Sequence, residues 1–84
     1  MPEIPVVTSV TVTGPYFLEI GFADGERRSV NVEPVLHGEV FEPLRDPDFF
    51  SQVEVDSVLG TIVWPNGADL SPEFLYANER AATR

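Results

Sequence analysis

The chain has 84 residues, fourteen acids against five bases, a formal net charge of −9 and no cysteine. The missing cysteines exclude disulfides, thiolate metal centres and cysteine nucleophiles from this chain, and the missing lysines exclude Schiff-base chemistry. So acidic a surface repels phosphate backbones, and Arg27-Arg28 is the only adjacent basic pair, so direct nucleic-acid binding is not expected.

The length fits one domain over residues 1–84, with residues 1–4 and 81–84 expected to fray. A chain of this size buries about 60–65% of its unfolded surface. Its hydrophobic share of 43%, with six Phe, two Tyr and one Trp, is enough for one compact core. No apolar run approaches the roughly 18 residues of a membrane span. The start Met1-Pro2-Glu3-Ile4-Pro5 lacks the basic-then-apolar order of a signal peptide. These features lead us to expect a soluble, cytoplasmic protein.

Val6 to Thr13 alternates, with Val6, Thr8, Val10 and Val12 on one face, and is expected to be a half-buried strand. Gly14-Pro15 ends it. Tyr16 to Phe22 alternates again, with Tyr16, Leu18, Ile20 and Phe22 toward the core, and Arg27 to Val32 returns after Asp24-Gly25. A two-residue turn would set every core residue of the hairpin beside a polar one. A three-residue loop, Ala23-Asp24-Gly25, instead pairs Phe22 with Glu26, Ile20 with Arg28 and Leu18 with Val30. It also needs a left-handed residue where Gly25 stands, so the longer loop is expected.

Glu33 to Leu36 reads as a helical turn or connector, ended by His37-Gly38. Asp46-Pro47 is a cap-then-proline start for a helix of one or two turns. Val53 and Val55 alternate with Glu54 and Asp56 as a fourth strand, Ser57 to Gly60 turns, and Thr61 to Trp64 is a fifth. Pro65 stops that strand, Asn66-Gly67 turns the chain, and Ser71 caps a helix from Pro72 to about Glu79. Together these elements predict an α+β fold: a compact single domain with a mainly antiparallel sheet of four or five strands and two or three short helices.

The segments Phe22-Ala23-Asp24-Gly25-Glu26, Phe41-Glu42-Pro43-Leu44-Arg45-Asp46-Pro47, Phe49-Phe50 and Gly60-Thr61-Ile62-Val63-Trp64-Pro65-Asn66-Gly67-Ala68-Asp69-Leu70 occur in an order that resembles a small bacterial family, domain of unknown function 2442. The resemblance runs from about Val6 to Tyr76, and Trp-Pro-Asn-Gly-Ala-Asp is its most specific part. It implies a compact α+β fold of antiparallel strands and short helices, with no established activity. Some members of the family carry a helix-turn-helix after this domain; here the chain stops at Arg84. The resemblance also brings an expectation of an antitoxin-like protein partner.

Asp24, Asn66, Asp69 and Glu73 are the polar residues that could gather around a hard cation if the hairpin loop and the turn after Trp64 lie close. The structural reading is stronger, since Asp and Asn in turns bond their own backbone and Glu73 suits a helix start. His37 is the single histidine, beside Gly38 and without a marked nucleophile. No glycine-rich phosphate loop is present. Core packing is the default for Trp64 and Phe41, with interface docking as the alternative. No catalytic, cofactor-binding or metal-ligating residue is assigned. The candidate interaction or motif residues are Asp24, Gly25, Phe41, Trp64, Pro65, Asn66, Gly67 and Asp69.

The chain is therefore expected to be a non-catalytic protein-interaction module with a basic protein partner, needing no cofactor and touching no membrane, and able to form homo-oligomers. The alternative is a small ligand- or metal-binding sensor or enzyme that uses carboxylates near the Asn66-Gly67 turn.

Overall fold

Strands β1 (Val7–Gly14), β2 (Phe17–Phe22) and β3 (Arg27–Asn31) form one antiparallel sheet in the order β1-β2-β3 in the computed structural model, which describes residues 5–78. The register of the β2–β3 hairpin is the one expected for a three-residue loop. Ile20 lies opposite Arg28 and Leu18 opposite Val30, and the Phe22 N–H donates to the Glu26 carbonyl over 2.9 Å. Gly25 has φ of 90°, a left-handed conformation that Ala resists. Asp24 Oδ1 accepts from the Glu26 N–H at 2.9 Å and holds the loop.

The first strand departs from simple alternation. Val7 is buried while Val6 is exposed, the reverse of the expected face for both. The cause is a register shift between Val7 and Ser9: Val7 faces Phe22, yet Val10 faces Ile20 and Val12 faces Leu18. One extra residue in β1 brings Val7 to the same face as Val10 and Val12 despite its odd spacing. Tyr16, at φ of 65°, sits in the turn between β1 and β2 rather than in β2 itself.

The expected single sheet of four or five strands is not what forms. Strands β4 (Glu54–Asp56), β5 (Thr61–Val63) and β6 (Asp69–Leu70) make a second three-stranded antiparallel sheet. Two features separate the sheets. The stretch after Asn31 goes into two 3-10 turns, Glu33–Val35 and Glu42–Arg45, and helix α1 (Pro47–Phe50), so no extended chain is left to join them. The turn after Trp64 then reverses the chain tightly enough for Leu70 to pair with Ile62 and Asp69 with Val63, adding the strand β6 that periodicity over two residues does not reveal.

Both proline-led helices begin where the caps require. Asp46 accepts from the Asp48 N–H at 2.9 Å, and Ser71 Oγ accepts from the Phe74 N–H at 3.1 Å at the start of α2 (Pro72–Tyr76). Helix α2 ends at Tyr76, with Ala77 as its C-cap, so it is shorter than expected; Glu79 and the fraying expected for residues 1–4 and 81–84 lie outside the described residues. One core cluster spans both sheets and the helices, with Leu18, Ile20 and Val30 from the first sheet, Ile62 and Leu70 from the second, Phe50 from α1, Leu75 from α2 and Trp64 just after β5.

Candidate functional site

Trp64 organises one polar cluster among the described residues. Its indole is 2% exposed, lies 5.8 Å from the Phe50 ring, and donates from Nε1 to the Phe50 carbonyl over 2.9 Å. The Trp64 N–H donates to Ala68 and the Gly67 N–H to Trp64, both over 2.9 Å, which closes a tight turn with Pro65 outward and Gly67 at φ of 91°. Asn66 works at both ends of its amide. Oδ1 accepts from the Ala68 N–H at 3.1 Å, and Nδ2 donates to the Val40 carbonyl at 2.9 Å. It therefore ties the turn to the loop carrying half-buried Phe41, which packs on the core. Asp69 is exposed on β6.

The second cluster joins the hairpin loop to the end of α2. Tyr76 donates from its hydroxyl to Asp24 Oδ2 over 2.6 Å, and its ring meets Phe22 edge-on with centroids 4.9 Å apart. Arg28, 8% exposed, lies over the Tyr76 ring at 4.3 Å. It also donates from Nε to the Tyr76 carbonyl and from Nη1 to Glu26, each over 2.8 Å. The guanidinium is thus stacked and bonded at once, the geometry that suits Arg better than Lys. The Tyr76 hydrogen bond, with the Glu26 N–H, holds the Asp24 carboxyl below its ordinary 3.8. The same bond raises the Tyr76 phenol above 10.0.

These partners answer the question of a shared cation site. Asp24 is engaged by Tyr76, Asn66 by Val40 and Ala68, and Glu73 stands in the first turn of α2. Among the described residues, no three Asp, Glu or His side chains gather where they could hold a metal. The structure therefore does not bring Asp24, Asn66, Asp69 and Glu73 into one group. Of the sequence-derived candidates, Gly25, Gly67, Trp64 and Asn66 shape the backbone or fill the core, Phe41 is half-buried, and Pro65 and Asp69 are open to solvent.

A third feature escaped the sequence reading. The turn between β4 and β5 displays Val58 at 91% exposure and Leu59 at 58%. It is not slack. Asp56 Oδ1 accepts from the N–H groups of both Val58 and Leu59, at 2.9 and 3.0 Å, and the Gly60 N–H donates to the Asp56 carbonyl at 2.8 Å. The Gly60 carbonyl in turn accepts from the Val7 N–H at 3.0 Å, which sets exposed Val6 beside the turn. The signal was available as two aliphatic residues inside a turn that an Asp begins; the Arg28–Tyr76 contact, between residues 48 apart in sequence, carried only the hint that Arg28 faces inward on β3.

No helix among the described residues is long and apolar enough to cross a membrane. Comparison with curated proteins and with solved structures returns no match to either. The family model described as Protein of unknown function (DUF2442) matches residues 7–81, nearly the whole described chain and both polar clusters. The chain belongs to this family of proteins of unknown function.

Proposed function

We propose that this domain works by binding a basic protein through the β4–β5 turn and catalyses nothing itself. The observation that carries this reading is the locked display of Val58 and Leu59, held outward by the Asp56 carboxylate. A solvated aliphatic pair costs free energy, and a turn already rigid loses little entropy on docking. Exposed Val6 extends the apolar surface, and exposed Glu54 lies on the same hairpin. The net charge of −9 selects a cationic partner and speeds its approach. Neutralising such a partner, as an antitoxin does, is the form this binding takes.

The test starts with the protein that co-purifies from the native cell. Val58→Asp with Leu59→Asp is expected to weaken its binding by about 10- to 100-fold, the equivalent of losing one or two buried aliphatic side chains. Raising salt should slow association much more than it speeds dissociation. An affinity unchanged by both substitutions removes the turn from the interface, and an association rate indifferent to salt removes the electrostatic steering.

A further inference from the structure

We propose that two copies of this chain pair through the open edge of β1, in antiparallel register about Thr11, to make one six-stranded sheet. The argument begins with hydrogen-bond direction. The Phe22 N–H bonds Glu26 and the Val32 N–H bonds Tyr16, so the even-numbered residues of β2 face β3. Gly21 and Glu19 then bond Ser9 and Thr11 of β1, their Cα partners. Alternation leaves the N–H and C=O groups of Val10 and Val12 directed away from β2. Among the described residues β1 pairs in a sheet with β2 alone; β4 and β5 lie against its start, where the Val7 N–H donates to the Gly60 carbonyl.

Natural edge strands are guarded by charge, and the two edges of this sheet differ in that respect. β3 carries Arg27, ion-paired to Glu19, and Arg28. No charged side chain lies between Glu3 and Glu19 in a chain of net charge −9, so the β1 strand itself sets no charge against a second acidic copy. Its composition, Val-Thr-Ser-Val-Thr-Val-Thr, is β-branched almost throughout. The register shifts of β1 fall before Ser9 and after Val12, leaving a regular segment between them.

That segment is self-complementary. With Thr11 on the two-fold axis, Val10 lies opposite Val12 of the second copy and Val12 opposite its Val10. These are the residues whose backbone groups are turned outward, so hydrogen bonds and aliphatic contacts coincide. Val12, 38% exposed in the single chain, gains an aliphatic neighbour. The two Thr11 side chains meet on the outer face, where Thr11 is exposed. An interface limited to one strand from each copy is smaller than stable dimers use, so association is weak and depends on concentration.

Sedimentation of the intact chain from about 10 µM to about 1 mM tests this, a range suited to a small interface. The apparent mass is expected to rise from that of one 9.3 kDa chain toward two. Added salt should strengthen pairing, because it screens −9 against −9, the opposite of its effect on a basic partner. Thr11→Lys and Thr11→Glu should each stay monomeric alone, since like charges meet on the axis, and their mixture should pair again. In the unsubstituted chain, amide exchange at Val10 and Val12 should slow at least tenfold across the range while Glu39 does not change. A single-chain mass at the highest concentration with unchanged exchange at Val10 and Val12 overturns the proposal; so does pairing by Thr11→Lys alone, or a mixture that stays monomeric. Val58→Asp with Leu59→Asp should leave the pairing intact, which separates this surface from the proposed partner site.

Discussion

Replacing Trp64 with Phe removes one hydrogen bond and part of one ring from the shared core. The Nε1 donor to the Phe50 carbonyl goes, and that buried acceptor keeps only the long 3.4 Å bond from the Val53 N–H. A buried acceptor that loses its main donor costs about 1–2 kcal/mol. The smaller ring leaves a gap beside Phe50 and adds about 1 kcal/mol of lost packing. The sum, about 2–3 kcal/mol, is large against the roughly 4–13 kcal/mol that a chain of this size has at 0.05–0.15 kcal/mol per residue. At about 4–8 °C per kcal/mol for a small domain, the melting temperature should fall by about 10–20 °C. Far-UV circular dichroism is the suitable assay, because the substitution deletes the single tryptophan fluorophore. A fall of less than about 5 °C would refute the reasoning, since the indole N–H could then not be the main partner of the Phe50 carbonyl.

Gly25→Ala should lower stability by about 1 kcal/mol in urea unfolding, because φ of 90° strains a side chain even though nothing crowds the position. Ser71→Ala should cost about 1 kcal/mol by the same measurement through loss of the bond to the Phe74 N–H. Asn66→Asp keeps the acceptor for Ala68 but sets a carboxylate against the Val40 carbonyl, so a loss of about 1–2 kcal/mol is expected; equal stability would mean that the amide donates elsewhere. Because Asp24 is depressed in the folded state, its contribution is complete above about pH 3.8 and is lost as pH falls through the lower folded value. Tyr76→Phe should return the Asp24 carboxyl midpoint toward 3.8 in an NMR titration, and an unmoved midpoint would deny the hydrogen bond its role.

Local chemistry made the first hairpin and both helix starts readable. The pairing of Ile20 with Arg28 followed from asking which loop length sets apolar beside apolar, and the caps at Asp46 and Ser71 followed from polar residues placed before prolines. What failed depended on partners distant in sequence or on single inserted residues. Val6 and Val7 exchanged faces because one bulge breaks the period of two. The second sheet was missed because β6 has two residues, too few for any alternation, and pairs only once the Trp64 turn has closed. The short α2 shows that a well-capped start does not set a helix's length.

The candidate site divides along the same line. Asn66, Gly67, Trp64, Asp24 and Gly25 stood out in the sequence because turns and core positions demand particular residues, and that demand leaves their polar atoms engaged within the fold. Asn66 has both ends of its amide bonded, Trp64 its indole nitrogen, and Asp24 both carboxylate oxygens. The segment most specific to the family resemblance therefore closes the turn after Trp64, with Asp69 left open to solvent. Function has to be sought among groups that folding does not satisfy. The two contacts proposed above use such groups: the aliphatic pair Val58 and Leu59 that Asp56 holds in water, and the backbone groups of Val10 and Val12 on the β1 edge. Neither set has a polar side chain suited to moving protons or holding a metal, and each suits contact with another polypeptide: apolar surface in the first case, strand pairing in the second.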